Sequence, residues 1–296
     1  MSKQLIKIFC LFNFTLLIIP QSAFSAVTVI DDEKNEVKLL QPAKRIISLA
    51  PHITESLYAA GAGKKIIATV SYSDYPEEAK QIPLVGGYPS LDLEKIISLK
   101  PDLVIAWSSG NKKNQVEKLR KFGLTVFMSE PRHPQDIAKT IQRFGVMAGT
   151  TVIASQAADK FLQHYESLKN NYSTKTKVKV FYQIWNKPIM TISRQHLISD
   201  IIELCGGENV FANVQTMTPR ISLEAVLAEK PDSIISGGMG KARPEWLDEW
   251  KKWPDLPAVK NEHLYFIEPS LMQRVGPRIL QGADKLCNFL DEARTH

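Results

Sequence analysis

Two periodicities alternate along the chain. Short apolar runs rich in β-branched residues, at positions 45–49, 66–70, 103–106 and 125–128, predict strands. Between them, amphipathic stretches at 54–60, 92–99 and 114–122 predict helices. The first and last of these are ended by Gly61 and Gly123. This β–α–β–α order points to a parallel α/β layer. From 134 to about 172 the strand signal vanishes. Ile137, Ile141, Phe144 and Met147 recur at helical spacing, and after Gly149 the residues Ala154, Ala158, Phe161, Tyr165 and Leu168 fall on one side of a second helix. A strand at 178–184 reopens the alternation, which runs to a final helix at 277–290.

The pattern also repeats itself. Asp92-Leu93-Glu94-Lys95 leading to Lys100-Pro101-Asp102 is echoed by Ser222-Leu223-Glu224-Ala225 leading to Lys230-Pro231-Asp232, and β-branched residues follow both. In each copy Asp or Ser is placed to cap a helix, and Glu stands in its first turn. A fainter echo relates 54–63 to 198–207, a helix followed by glycine. The expected architecture is therefore two related α/β lobes joined by a helical segment. The predicted boundaries are an export segment at 1–25, a lobe at 26–149, the bridge at 150–174 and a lobe at 175–296. A cleft between two such lobes is the default ligand site.

Composition narrows the reading. The chain has 296 residues, 44% hydrophobic and 23% charged, which suits a folded core. Lys3 and Lys7 precede an apolar stretch at 8–19, and Ala23-Phe24-Ser25 offers small residues for cleavage. This is the pattern of a signal peptide, with the mature chain starting near Ala26 and exported to an oxidising compartment. The two lysines carry two of the six net positive charges, leaving a mildly basic +4 with no like-charge run, so a nucleic-acid surface is not expected. With Cys10 discarded, Cys205 and Cys287 remain. In an exported protein these are a disulfide candidate, the alternative being two separate buried thiols.

No catalytic constellation stands out. There is no G-x-S-x-G elbow, Walker loop or H-E-x-x-H. Gly237-Gly238-Met239-Gly240 lacks the order of a dinucleotide loop and reads as a tight turn. The histidines are scattered, so no metal site is expected; His52, just after the first strand, is read either as a capping residue or as one facing a ligand. Aromatic and polar residues gather after strand ends: Tyr72, Asp74, Tyr88, Trp107, Trp185, Arg220 and Arg274. Ligands of open α/β sheets bind beyond the carboxyl ends of strands, and such a set suits a large, partly apolar ligand with a polar edge. Trp246, Trp250 and Trp253, spaced four and three apart, read instead as one packed helix face.

The segment from Arg45 through Pro51-His52-Ile53-Thr54-Glu55, with Tyr72-Ser73-Asp74-Tyr75-Pro76, Leu93-Glu94, Lys100-Pro101-Asp102 and Cys205-Gly206-Gly207-Glu208-Asn209, resembles the periplasmic vitamin B12 (cobalamin) binding proteins of ABC importers. The likeness covers about 44–292. It implies an α/β fold of two Rossmann-like lobes bridged by a single long helix and a corrinoid held between the lobes, with Tyr72 stacked on it and Tyr88 in the place of a family tryptophan. Trp107 and Trp185 would stack as well, and Asp74, Gln273 and Arg274 would bond the corrin amides. Ser270, Leu271, Met272, Gln273 and Arg274 would form a contact loop, although Ser270, Leu271 and Gln273 depart from the family pattern, as does Thr218. The resemblance further implies that Glu94 and Glu224 dock the membrane permease, that Cys205 pairs with Cys287, and that the protein is a monomer that performs no bond chemistry and needs no cofactor. The rivals are a binder of haem or a ferric siderophore and an exported α/β enzyme.

Overall fold

The computed structural model describes residues 26–238, 240 and 242–295; the expected export segment, 1–25, lies outside the described residues. An antiparallel hairpin, β1 (Val27–Ile30) and β2 (Glu36–Leu39), precedes the first lobe. That lobe continues with β3 (Ile46–Ser48), helix α1 (Pro51–Ala59), β4 (Ile66–Ala68), a miniature hairpin of β5 (Gly86–Gly87) and β6 (Ser90–Leu91), α2 (Leu93–Ser98), β7 (Leu103–Trp107), α3 (Lys113–Lys121), β8 (Val126–Ser129) and α4 (Pro134–Ala148). The long helix α5 (Thr151–Tyr172) follows. The second lobe comprises β9 (Val178–Gln183), α6 (Leu197–Leu204), β10 (Gly207–Asn209), α7 (Leu223–Glu229), β11 (Ser233–Ser236), α8 (Pro257–Lys260), β12 (Leu264–Phe266), the single turn α9 (Pro269–Met272) and α10 (Ile279–Arg294).

The two sheets have one topology. The first runs β4–β3–β7–β8 and the second β10–β9–β11–β12, and every pairing in both is parallel. The sequence repeat therefore marks a structural repeat. Asp92 and Ser222 cap α2 and α7, accepting the backbone N–H of Lys95 at 3.0 Å and of Ala225 at 3.2 Å. Lys100 and Lys230 both end their helices at φ +47°. The aspartate of each Lys-Pro-Asp then reaches back to the first strand of its own sheet: Asp102 accepts from Lys44 and Arg45 N–H, and Asp232 from Lys179 N–H, all at 2.8–2.9 Å. Otherwise orphaned backbone donors beside each central strand are thus satisfied.

Each sheet is covered on both faces, as parallel sheets require. One face of the first buries Ile47, Val104 and Leu119, and one face of the second buries Phe181, Ile234 and Trp250. The opposite faces merge into one apolar cluster that runs through α4, α5 and α10, from Ile46 and Phe144 to Phe161, Val180 and Leu286. A continuous core across the junction opposes wide hinge motion. The disulfide between Cys205 and Cys287 ties the end of α6 to α10.

Several expected bounds shift. Helix α1 starts at Pro51 rather than 54, because proline suits the first helical turn. The final helix begins at Ile279 and continues to Arg294. The tryptophan segment is a 3₁₀ helix, Glu245–Lys252; Trp250 is buried, and Trp253 lies just past its end with the ring centroids 5.6 Å apart.

Candidate functional site

The first lobe presents an aromatic edge where its strands end. Trp107, the last residue of β7, lies half-buried between His52 (ring centroids 5.1 Å apart, edge-on) and Tyr88 (5.5 Å, tilted). Gly110 makes room for the indole, since a Cβ there would fall 1.8 Å from it. Asn111 fixes the group. Its oxygen accepts the Trp107 N–H at 2.7 Å, and its amide donates to the carbonyls of Tyr88 at 2.7 Å and Leu49 at 3.1 Å. Tyr88 rides the β5–β6 turn, where Gly86 adopts φ +101° and passes too close to the Ser90 carbonyl for any side chain. Beside it Tyr72 is 70% exposed, with its own backbone at φ +67°. A buried chain of hydroxyls steadies the Tyr72 loop: Ser48 with Thr54, Thr54 with Thr69, and Thr69 donating to Ser73, each at 2.8 Å.

The second lobe contributes less ring surface. Trp185 stands exposed after β9, its indole N–H donating to the Lys187 carbonyl at 3.0 Å. Gln183 supports this loop, accepting from the Trp250 indole at 2.8 Å and donating to the Trp185 carbonyl at 3.1 Å. Of the expected contact loop, only part faces outward. Leu271 and Met272 sit in the main core, with the Met272 sulfur packed on Gly282 of α10. The single turn of α9 points them inward, so neither is available to a ligand in this conformation. The Ser270 hydroxyl bonds Glu268 at 2.5 Å. Gln273 lies exposed, its amide over Gly237.

Arg274 does not point free into the cleft. Its Nη1 donates to Asp74 Oδ1 at 2.6 Å and to Glu55 Oε1 at 3.2 Å. Arg278 grips the same Glu55 with two bonds, 2.9 and 2.7 Å, and its guanidinium lies 4.0 Å over the Tyr75 ring. Two arginines of the second lobe thus meet two carboxylates and a tyrosine of the first. Burial pushes the Asp74 carboxyl upward, but the hydrogen bond and charge of Arg274 outweigh it and hold the group below the usual carboxylate range. Arg278 is partly desolvated, yet its bond to Glu55 raises it further.

His52, expected to cap or to face a ligand, backs Trp107 instead. It is buried, its Nε2 has no hydrogen-bond partner, and burial together with the Arg274 charge lowers it from 6.5 to about 4. Glu94 and Glu224 occupy equivalent exposed positions in the first turns of α2 and α7. No role was read from the sequence for Glu55, Asn111 or Arg278, and each bonds partners far away in the chain: Arg274 and Arg278 for Glu55, Leu49 and Tyr88 for Asn111. A cavity of about 860 Å³ opens on the flank of the lobe junction, lined by Tyr58, Tyr75, Pro76, Pro277 and Arg278, and touches none of Tyr72, Tyr88, Trp107 or Trp185. Among the described residues, no three His, Cys, Asp or Glu side chains converge to hold a metal ion.

Chemically, the arrangement offers flat aromatic faces on one side and a charge-balanced polar group on the other. A family profile described as "Periplasmic binding protein" matches residues 46–271. The vitamin B12-binding protein of Vibrio parahaemolyticus is 37% identical over 254 residues, covering 86% of this chain and 92% of that protein. The crystal structure of the periplasmic vitamin B12 binding protein BtuF of Vibrio cholerae superposes with a TM-score of 0.79 at 35% identity, over 86% of this chain and 99% of that one. The periplasmic heme binding protein HutB of Vibrio cholerae shares the fold at 22% identity and a TM-score of 0.74, over 83% of this chain and 98% of that one. With two lobes of one topology about a long helix, and these relatives, the chain belongs to the periplasmic binding protein family.

Proposed function

We propose that the protein captures cobalamin or a related corrinoid between its lobes and delivers it to the permease of an ABC importer, without bond chemistry of its own. The observation that carries this reading is the 37% identity, spread over 254 residues, to a vitamin B12-binding protein. The site chemistry agrees with it. Tyr72, Tyr88, Trp107 and Trp185 offer ring faces to a flat macrocycle. Gln273 and the unused nitrogens of Arg274 offer hydrogen bonds to its amides, and Asp74 lies beside them on Arg274. An anionic siderophore would require unpaired cations. Arg274 is already matched by two carboxylates, and Arg194 bonds Asn213 and the Ala212 carbonyl. In this reading residues 1–25 direct export to the periplasm, and the lobes divide as 26–149 and 175–296 about the bridge. The monomer docks one permease through Glu94 and Glu224, which stand in equivalent places on the two lobes and suit basic partners.

Titration calorimetry of the mature chain with cyanocobalamin, and separately with haemin, is the direct test. Cyanocobalamin should bind with a Kd below about 1 μM, driven by burial of ring surface in a largely preformed site. An absence of heat with cyanocobalamin, or tighter binding of haemin, would overturn the assignment.

A further inference from the structure

The contacts around Glu55 assign this residue a role that its position on α1 does not announce. Its side chain is 2% exposed, and both its oxygens are taken by arginines 219 and 223 residues away in the chain. A buried carboxylate of this kind persists only when fully paired. Glu55 therefore fixes two guanidinium groups of the second lobe against the first. Asp74 differs. It holds the same Nη1 of Arg274, but its side chain is 40% exposed on a surface loop. The Nε and Nη2 of Arg274 bond none of the described residues and stay accessible.

We propose that Glu55 is a positioning residue for ligand capture. It anchors Arg274 and Arg278 across the lobe junction, and so sets both the lobe spacing and the aim of the Arg274 guanidinium, while Asp74 is a placeholder acceptor that a carbonyl of the ligand displaces. The placeholder half rests on the corrinoid reading; the spacing half does not. The energetic logic is an exchange. In the unliganded protein Arg274 is satisfied by two carboxylates, so it is neither left unpaired nor swung into solvent. A ligand amide oxygen then needs to replace only the more exposed of the two. The anchored guanidinium keeps its direction because the buried partner does not let go.

Two variants separate these roles. Inter-lobe distances are read by nitroxide pairs at Lys121→Cys and Lys260→Cys, without ligand. Affinity and dissociation rate are read with cyanocobalamin. Glu55→Gln should broaden and lengthen the inter-lobe distance and weaken cyanocobalamin by about thirtyfold or more, mainly through faster dissociation. Asp74→Asn, at an exposed position that folding tolerates, should leave the distance unchanged and tighten cyanocobalamin by about threefold to tenfold, since a competing acceptor is weakened. Unchanged lobe distance and affinity in Glu55→Gln would overturn the positioning role. Weaker binding in Asp74→Asn would overturn the placeholder role and make Asp74 a direct ligand contact. If Glu55→Gln does not fold, Arg278→Lys reads the same anchor, because one amine cannot reproduce a two-bond grip; wild-type distances in that variant would count against it. Should the unaltered protein ignore cyanocobalamin, the corrinoid reading fails while the distance measurements still decide the role of Glu55.

Discussion

His52 and His196 occupy corresponding places in the two lobes, each at the start of the helix that follows the first strand of its sheet. His52 is buried and His196 half-buried, and desolvation lowers each from 6.5 to about 4. Their uses have separated. In the second lobe the ring caps α6, accepting the Ile198 N–H at 3.2 Å. In the first lobe Nε2 bonds nothing, and the ring supports Trp107 from behind. One scaffold, used twice, has kept its backbone tasks in one copy and diverted a side chain to the aromatic edge in the other. The same division holds more widely. The Lys-Pro-Asp caps and the first-turn glutamates stay symmetric, whereas exposed aromatics crowd the first lobe and the arginine pair belongs to the second.

The largest effect should fall on the lobe with the covalent tie. Cys205 and Cys287 are separated by 82 residues, for which chain-entropy loss amounts to about 4–5 kcal/mol. Replacing both by alanine should lower the unfolding free energy by about that amount in denaturant titrations. Hydrogen exchange should show the loss concentrated in β9 and β10, with β3 and β7 better protected. Equal loss in both sheets would mean that the shared core makes the lobes one cooperative unit and that the asymmetry is only covalent.

Next in size is the pH response of the paired histidines. Each has its folded-state value depressed from 6.5 to about 4, so the unfolded chain takes up protons first. Stability is therefore full above about pH 6.5 and falls as pH drops towards 4, by about 3 kcal/mol for each histidine. Thermal unfolding followed from pH 7 to pH 4 should show the decline. His196→Asn, which retains a capping oxygen, should remove part of the slope at little cost at pH 7. His52→Asn should remove a similar part but also weaken ligand binding, because Trp107 loses its backing. Equal ligand affinity in the two variants would dissolve the functional distinction between the lobes.

What the sequence makes legible follows from range. Strand and helix periods, Gly61 and Gly123 as stops, and the duplicated Lys-Pro-Asp are local signals, and the sheets they imply are the sheets observed. The exposed placement of Tyr72, Tyr88 and Trp185 is legible because aromatics gathered after strand ends have few structural uses. Leu271 and Met272 are misread because one helical turn decides which way a short loop faces, and no period exists over four residues. Glu55 is invisible for a different reason. On an apolar helix a single carboxylate looks like a solvated residue, and only folding brings Arg274 and Arg278 to it. Asn111 is likewise one polar residue in a loop until Trp107, Tyr88 and Leu49 arrive around its amide.

The smallest effect gives the sharpest contrast between the lobes. Tyr72 sits at φ +67° in the loop after β4, whereas in the second lobe no described residue between Gly206 and Lys230 has positive φ. A left-handed tyrosine costs about 1 kcal/mol that glycine would not. The loop tolerates it because Ser71 and Ser73 are held by the Gly86 and Val70 carbonyls and by the hydroxyl chain beneath. The strained backbone keeps the ring out in solvent, where it buries almost nothing in the unliganded protein. Strain retained at an exposed aromatic points to use by a ligand. Tyr72→Gly should therefore raise the stability of the unliganded protein by about 1 kcal/mol, as read by denaturant midpoint, while weakening cyanocobalamin by about tenfold through loss of one stacking face. A variant that became less stable would show that the ring packs within its own lobe, and the first lobe would then owe its aromatic edge to folding and not to binding.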